Sequence, residues 1–292
     1  MLLSMTGFGS AQSENGHFAV SAEVRCVNNR HLKVSIRCPD SWAAKEHEIE
    51  KLIRQSIARG TVNVSLRVQS IGPSEESLIN RPLLTAYWHQ LQTISAKLGT
   101  PPPSMGDLLG LPGVAVDETG AGLSEEDWKL VEQAVSQALI RVQEFRIREG
   151  RAMADEMLSL VADLRRCRLD ILERAPLVIT GYRDKIRDRV AQLLQHTGVT
   201  VTDADLVREV SLFADKCDIT EELARLLSHL SQFEDSLNAQ PSAGRRLDFL
   251  CQELNREVNT IGSKSNDVAL THRVVDAKAI VEKLREIVQN VE

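Results

Sequence analysis

The sequence predicts an α+β protein, with an N-terminal antiparallel or mixed β-sheet and a helix, followed by long helices and a C-terminal helical bundle. Three observations carry this expectation. Short segments near the start alternate apolar and polar residues; a long Arg- and Glu-rich stretch from about Ser124 to His196 has a helical period; and the last third carries three stripes of apolar residues spaced by three and four. With 292 residues the chain is long enough for more than one core. The expected organisation is a sheet-and-helix domain over 1–156, a helical connector over 157–205 and a C-terminal helical domain over 206–292.

In chain order, Phe18, Val20, Ala22, Val24 and Cys26 form the first alternating set, Leu32, Val34, Ile36 and Cys38 the second, and Val62, Val64, Leu66 and Val68 the third. A sheet with one buried face demands this period of two. Between the second and third sets, Asp40 or Ser41 can cap a helix that carries Ile49, Leu52, Ile53 and Ile57 and stops at Gly60. Ser4 to Gly9 reads as a further strand, with glycines where backbones approach closely or a bulge forms. Gly72-Pro73-Ser74 and Pro101-Pro102-Pro103 punctuate the chain around a helix from Leu83 to Leu98. The long helical stretch is expected to break at Gly150 and near Pro176. Leu223, Leu226, Leu230, Phe233 and Leu237 line the first C-terminal stripe. Leu247, Leu250, Leu254, Val258 and Ile261 line the second, and Ile280, Leu284, Ile287 and Val291 the third. Such seams imply an antiparallel bundle, with the option of sharing it between subunits.

Composition narrows the function. A net charge of -6 argues against a protein that coats nucleic acid uniformly, so any RNA site must be a local basic patch. Aromatic residues make up 4% of the chain, too few to suggest the stacking platforms of RRM or OB folds. The cysteines, Cys26, Cys38, Cys167, Cys217 and Cys251, are odd in number and contain no C-x-x-C pair. That pattern points to a reducing compartment, and with no signal-like or membrane-spanning stretch the expected location is cytoplasmic.

Glu222 and His229 stand seven residues apart, two helical turns, and so project from nearly the same face. Glu221 is a neighbour, and Arg225 one turn on could meet a phosphate or pair with a carboxylate. Glu253 and Glu257 lie four apart and flank the second apolar seam. Facing helices that each present carboxylates can build a cation site, although an i, i+4 glutamate pair is ordinarily solvated surface and a histidine beside a seam is ordinarily structural. Asp218 fits a capping box with Glu221 and is left out of the metal set. Basic candidates cluster at Arg25, Asn28, Asn29, Arg30 and His31, at Arg245 and Arg246, and around Lys264, where Ile261 to Asp267 has the makings of a phosphate-holding turn or of a simple helix stop.

Met5-Thr6-Gly7-Phe8-Gly9, Val27-Asn28-Asn29-Arg30, Leu111-Pro112-Gly113, Asp218 to Leu223, Ser228-His229-Leu230 and Leu247 to Leu250 resemble motifs of the YicC/YloC family. The longest similar stretch runs from Gln252 to Glu257 and on from Asn259 to Asp267, and the terminal Val288 to Glu292 fits as well. The resemblance implies an endoribonuclease, a hydrolase of bacterial RNA turnover, dependent on a divalent cation and assembled as a homo-hexamer around RNA. It favours Glu222, His229, Glu253 and Glu257 as catalytic, metal-holding residues, and these mainly oxygen donors suit Mg²⁺ or Mn²⁺ as the cation. It also favours Asn28, Arg30, Arg245, Arg246, Arg256 and Lys264 as RNA contacts. Thr61, where the family tends to have lysine, and Asn29-Arg30-His31, in place of a His-Arg-aromatic run, depart from its pattern. Two other readings compete with it: a non-catalytic RNA-binding adaptor that delivers RNA to another nuclease, and a purely structural coiled-coil assembly protein.

Overall fold

The structure is a computed structural model and describes residues 2–15, 18–29, 31–71, 79–114, 125–194, 202–238 and 243–292. The chain divides into two compact units, Thr6–Phe145, and Met1–Met5 with Arg146–Glu292.

The Thr6–Phe145 unit is built on four strands, β1 (Gly7–Glu14), β2 (Phe18–Val27), β3 (Lys33–Arg37) and β4 (Thr61–Ser70), in the sheet order β1-β2-β4-β3. β2 runs antiparallel to β1 and β4, while β3 is parallel to β4. The parallel pair follows from the connection: a 3₁₀ turn (Asp40–Lys45) and helix α1 (Glu46–Ser56) carry the chain back across the sheet. The alternation puts Val20, Val24, Val62, Val64 and Leu66 on one buried face. There they meet Trp42, Ile49, Ile53 and Ile57 from the crossover, and Val131, Ala134, Val135, Ala138 and Val142 from a long helix. The opposite face of the sheet is open. β1 starts at Gly7, three residues later than the sequence suggests, because Ser4 pairs instead with Val291. A Cβ on Gly9 would collide with the Ala138 carbonyl and Val142, so the glycine of that motif marks a close backbone approach. Helices α2 (Arg81–Leu98) and α3 (Met105–Leu109) follow; Asn80 caps α2, and Ser104 with Asp107 forms a capping box on α3. Gly72-Pro73-Ser74 lies outside the described residues.

Helix α4 runs unbroken from Glu125 to Leu194, through Gly150 and Pro176. Both expected breaks are therefore absent, for different physical reasons. Gly150 is a packing residue: a Cβ there would run into the carbonyl of Leu2, so the glycine admits the N-terminal segment against the helix. Pro176 removes one helical hydrogen bond, but Leu172 and Leu177 around it are exposed, so water can serve the freed carbonyl.

The second unit adds α5 (Asp203–Lys216), α6 (Thr220–Asn238), α7 (Ala243–Lys264) and α8 (Val268–Val288) to the later part of α4. The stripes on α6 and α7 are buried throughout, and Met157, Val161 and Leu164 of α4 join the same core. On α8 the buried stripe is Leu270, Val274, Ala277, Val281, Leu284 and Val288, one residue out of phase with the expected Ile280 and Ile287, which are only partly buried. Val291 is buried beyond the helix, in the bridge to Ser4. The two chain ends are tied together there: Met5 N–H donates to the Asn290 carbonyl at 2.8 Å, and buried Arg146 donates to the Ser4 carbonyl and pairs with Glu292. No helix among the described residues is long and apolar enough to cross a membrane.

Candidate metal centre

α6 starts at a turn in which the Asp218 carboxylate accepts a hydrogen bond from the Thr220 N–H at 3.0 Å. Hydrogen bonds from Thr220 hold this carboxyl below the usual carboxylate range. The cap is thus a short Asp218–Thr220 turn rather than a box closed by Glu221, whose carboxylate pairs with Arg225. With Leu226, Leu230 and Phe233 aimed into the core, His229 falls at the border of the α6 seam and is partly buried. On α7 the same logic applies: Leu250, Leu254, Val258 and Ile261 face the core, and Glu253 and Glu257 border it on one side.

Packing of α6 on α7 brings these borders together. Ligand-capable atoms of His229, Glu253 and Glu257 all lie within 4.8 Å of one another, the one such cluster among the described residues. Glu257 is 3% exposed, and His229 Nδ1 is buried without a hydrogen-bond partner. Cations stand at the rim rather than inside. Arg225 approaches Glu257 at 3.8 Å and Arg256 approaches Glu253 at 3.8 Å, both with largely exposed side chains. Two carboxylates whose arginine partners stand no nearer than 3.8 Å and an imidazole with an unspent nitrogen form a donor set suited to a divalent cation.

Glu222, expected from the sequence to belong to this set, stands apart. Seven residues bring it to the same face as His229 but also about 10 Å along the axis, at 1.5 Å per residue. Its Oε1 accepts from Lys264 Nζ at 2.7 Å, and its Oε2 is buried without a partner. Lys264 also donates to the Asp218 carbonyl at 2.8 Å. Its ammonium therefore fastens the end of α7 to the start of α6, so Lys264, expected to contact RNA, is engaged within the chain in this structure. The same holds for the turn after it. Gly262 lies within α7, and Asp267 caps α8 by accepting from Leu270 N–H while forming a two-pronged pair with Arg174 at 2.8 and 3.0 Å. The Arg174 guanidinium holds the Asp267 carboxyl down at about 2. A phosphate-holding turn is not what these residues form. The pairing with Arg174 escaped the sequence reading because 93 residues separate the partners.

Among the other expected RNA contacts, Asn28 is exposed just beyond β2, and Arg30 lies outside the described residues. Asn29 donates to Thr61 Oγ1 at 2.9 Å, which gives the unusual threonine a role in closing this corner. Arg245 and Arg246 are exposed in the first turn of α7, which contains no acidic residue. Cations at that end oppose the helix dipole, so helix stability does not account for them. Arg256 is 71% exposed at its side chain.

A model for the N-terminal region of YicC-like endoribonucleases matches residues 2–155, and one for their C-terminal region matches 171–292. The chain is 32% identical to the probable endoribonuclease YicC of Clostridioides difficile and 29% identical to the protein of that name in Haemophilus influenzae, in each case over the full length of both chains. With both regions matched in order and at full length, the chain belongs to the YicC-like endoribonuclease family.

Proposed function

We propose that this chain is an endoribonuclease whose cleavage of RNA depends on a divalent cation, Mg²⁺ or Mn²⁺, held by His229, Glu253 and Glu257. The observation that carries the reading is the convergence of these three side chains within 4.8 Å across α6 and α7. The free His229 Nδ1 supports the fit, and an imidazole among carboxylates tilts the choice toward Mn²⁺. Glu222 is outside the proposed ligand set for the reasons of distance and pairing given above.

A bound cation supplies positive charge for the phosphorane and a means of activating a nucleophile at neutral pH. The chain's own residues do the rest. Glu253 and Glu257 alone would repel a phosphodiester, and Arg225 and Arg256 at the rim are placed to offset that repulsion and hold phosphate oxygens. The buried position of Glu257 fixes its carboxylate and keeps water from competing for it.

A hexameric assembly in the cytoplasm belongs to the same proposal. Val207 and Leu212 of α5 and Leu169, Leu172 and Leu177 of α4 are exposed apolar residues, and α5 buries none of its side chains. Such faces gain by being covered in an oligomer. Five free cysteines fit a reducing compartment.

The test is cleavage of end-labelled RNA with EDTA and after Mn²⁺ is restored, for the native chain, His229→Ala and Glu257→Gln. Cutting by the native chain is expected to stop in EDTA and return with Mn²⁺, and the variants are expected to bind RNA without cutting it. Full cutting in EDTA would overturn the metal dependence. Binding without cutting under every condition would replace the enzyme by an RNA-delivering adaptor.

A further inference from the structure

The open face of the sheet is a feature that the proposed metal cluster does not use. Register places Phe8, Arg25 and Asn63 side by side across β1, β2 and β4, and sets Arg37 of β3 beside Ser65, two residues from Arg67 on β4. These side chains line or border a groove of about 400 Å³ on the exposed face. Its charge is one-sided: three guanidiniums, Arg25, Arg37 and Arg67, stand against the single carboxylate of Glu23. Arg25 neutralises Glu23 at 2.5 Å and also lies 5.4 Å above the Phe8 ring. Arg37 and Arg67 have no acidic partner within ion-pair distance among the described residues. Phe8 is 42% exposed, an aromatic surface left in water in a chain with few aromatics.

We infer that this sheet face is a second RNA-contacting site, which binds the sugar-phosphate backbone of single-stranded RNA through Arg37 and Arg67 and stacks a base against Phe8 beside Arg25. The inference rests on the endoribonuclease reading and deepens it by naming a substrate-holding surface besides the cluster on α6 and α7. Unpaired guanidiniums on an acidic chain concentrate phosphate where the remaining surface repels it. Arg37 and Arg67 are diagonal neighbours on adjacent strands, about 8 Å apart at strand spacing, so each can meet a different phosphate. A guanidinium stacked on a ring offers a sequence-tolerant platform for a base, and an extended sheet can present such a platform to a splayed strand but not to a closed duplex. The open sheet face thereby serves single strands even though the chain lacks the aromatic density of an RRM.

The experiment is fluorescence anisotropy of a labelled 12-nucleotide single strand with the full-length chain in EDTA, as a function of salt. The variants are Arg37→Glu with Arg67→Glu, the same pair changed to Lys, and Phe8→Ala. All sit on an exposed face, and circular dichroism and light scattering establish that fold and assembly are kept. The double Glu variant is expected to weaken binding by tenfold or more and, at about 0.7 per phosphate for single strands, to flatten the salt slope by about 1.4. The Lys pair should keep the slope, and Phe8→Ala should weaken binding without changing it. Unaltered affinity and slope in the double Glu variant, while the native chain binds, would overturn this inference alone. A change of oligomeric state in that variant would do so too, by making the face a contact between subunits. A native chain that neither binds nor cuts RNA would instead bring down the endoribonuclease reading.

Discussion

Replacing Glu257 by Gln should make the metal-free protein more stable and the metal-loaded protein less so. Carboxylate oxygens of Glu253 and Glu257 lie within 4.8 Å, where two unit charges at an effective dielectric of about 20 repel by about 3 kcal/mol. Arg225 and Arg256 stand at 3.8 Å with side chains 50% and 71% exposed, and each such screened pair returns at most about 1 kcal/mol. A penalty of about 1–2 kcal/mol is therefore left in the metal-free state, and the neutral amide removes it. At about 2–4 °C per kcal/mol for a unit of this size, Glu257→Gln should melt a few degrees above the native chain in EDTA. In Mn²⁺ at 100 times its dissociation constant the native chain gains about 2.7 kcal/mol, and the variant, short of one ligand, does not. The order of melting should invert between the two conditions. The assay is thermal unfolding followed by circular dichroism with EDTA and with a Mn²⁺ titration. A variant that melts below the native chain in EDTA, or one that shows the same rise with Mn²⁺, would refute the reasoning.

Two further predictions concern what fastens the C-terminal unit. The Asp267 carboxyl is held at about 2, below its ordinary 3.8, so its stabilisation is fully present above about pH 4 and is lost as pH falls toward 2. Asp267→Asn, which keeps a capping side chain, should cost about 1 kcal/mol near neutrality, discounted for the partly exposed Arg174, and the difference from the native chain should shrink toward zero in acid melts. Two glycines of α4 should respond in opposite ways. Gly150→Ala meets the Leu2 carbonyl and should destabilise by about 1–3 kcal/mol, whereas Gly181→Ala meets nothing within 4 Å and should stabilise by about 0.5–1 kcal/mol, both read by urea unfolding.

Elements whose evidence is local were legible in the sequence. Alternation at Val20, Val24, Val62 and Val64 identifies the buried sheet face, and the Leu223 to Leu237 and Leu247 to Ile261 stripes identify α6 and α7 with their core sides. On α8 the neighbouring pairs Ile280-Val281 and Ile287-Val288 permit two phases, and only packing on α7 decides that Val281 and Val288 face inward. Gly150 reads as a breaker when its partner is unknown; contact with Leu2, at the far end of the sequence, turns it into a packing residue. For the candidate metal cluster the sequence supplies the faces of His229, Glu253 and Glu257. It does not supply the crossing of α6 on α7, which selects His229 over Glu222. Arg37 and Arg67 were missed because their juxtaposition exists only once β3 pairs with β4. The usable signal was polar, basic residues at the outward positions of two alternating segments.

What separates an enzyme from a structural helical assembly is where the chain leaves charge only weakly compensated. Ion pairs that join distant segments are close: Arg165 with Glu234 at 2.7 Å, Arg174 with Asp267 at 2.8 Å, Lys264 with Glu222 at 2.7 Å. Each holds one helix to another. Glu253 and Glu257 have only looser partners, at 3.8 Å, although bringing a nearly buried carboxylate beside another is costly. A coiled-coil scaffold has no use for that arrangement, and an adaptor that only carried RNA would need the cations of the sheet face but not the carboxylates. Weakly paired acids in one unit, and guanidiniums without an acidic partner among the described residues in the other, are what the proposed function asks of the chain: a place for a cation and a hold on a polyanion.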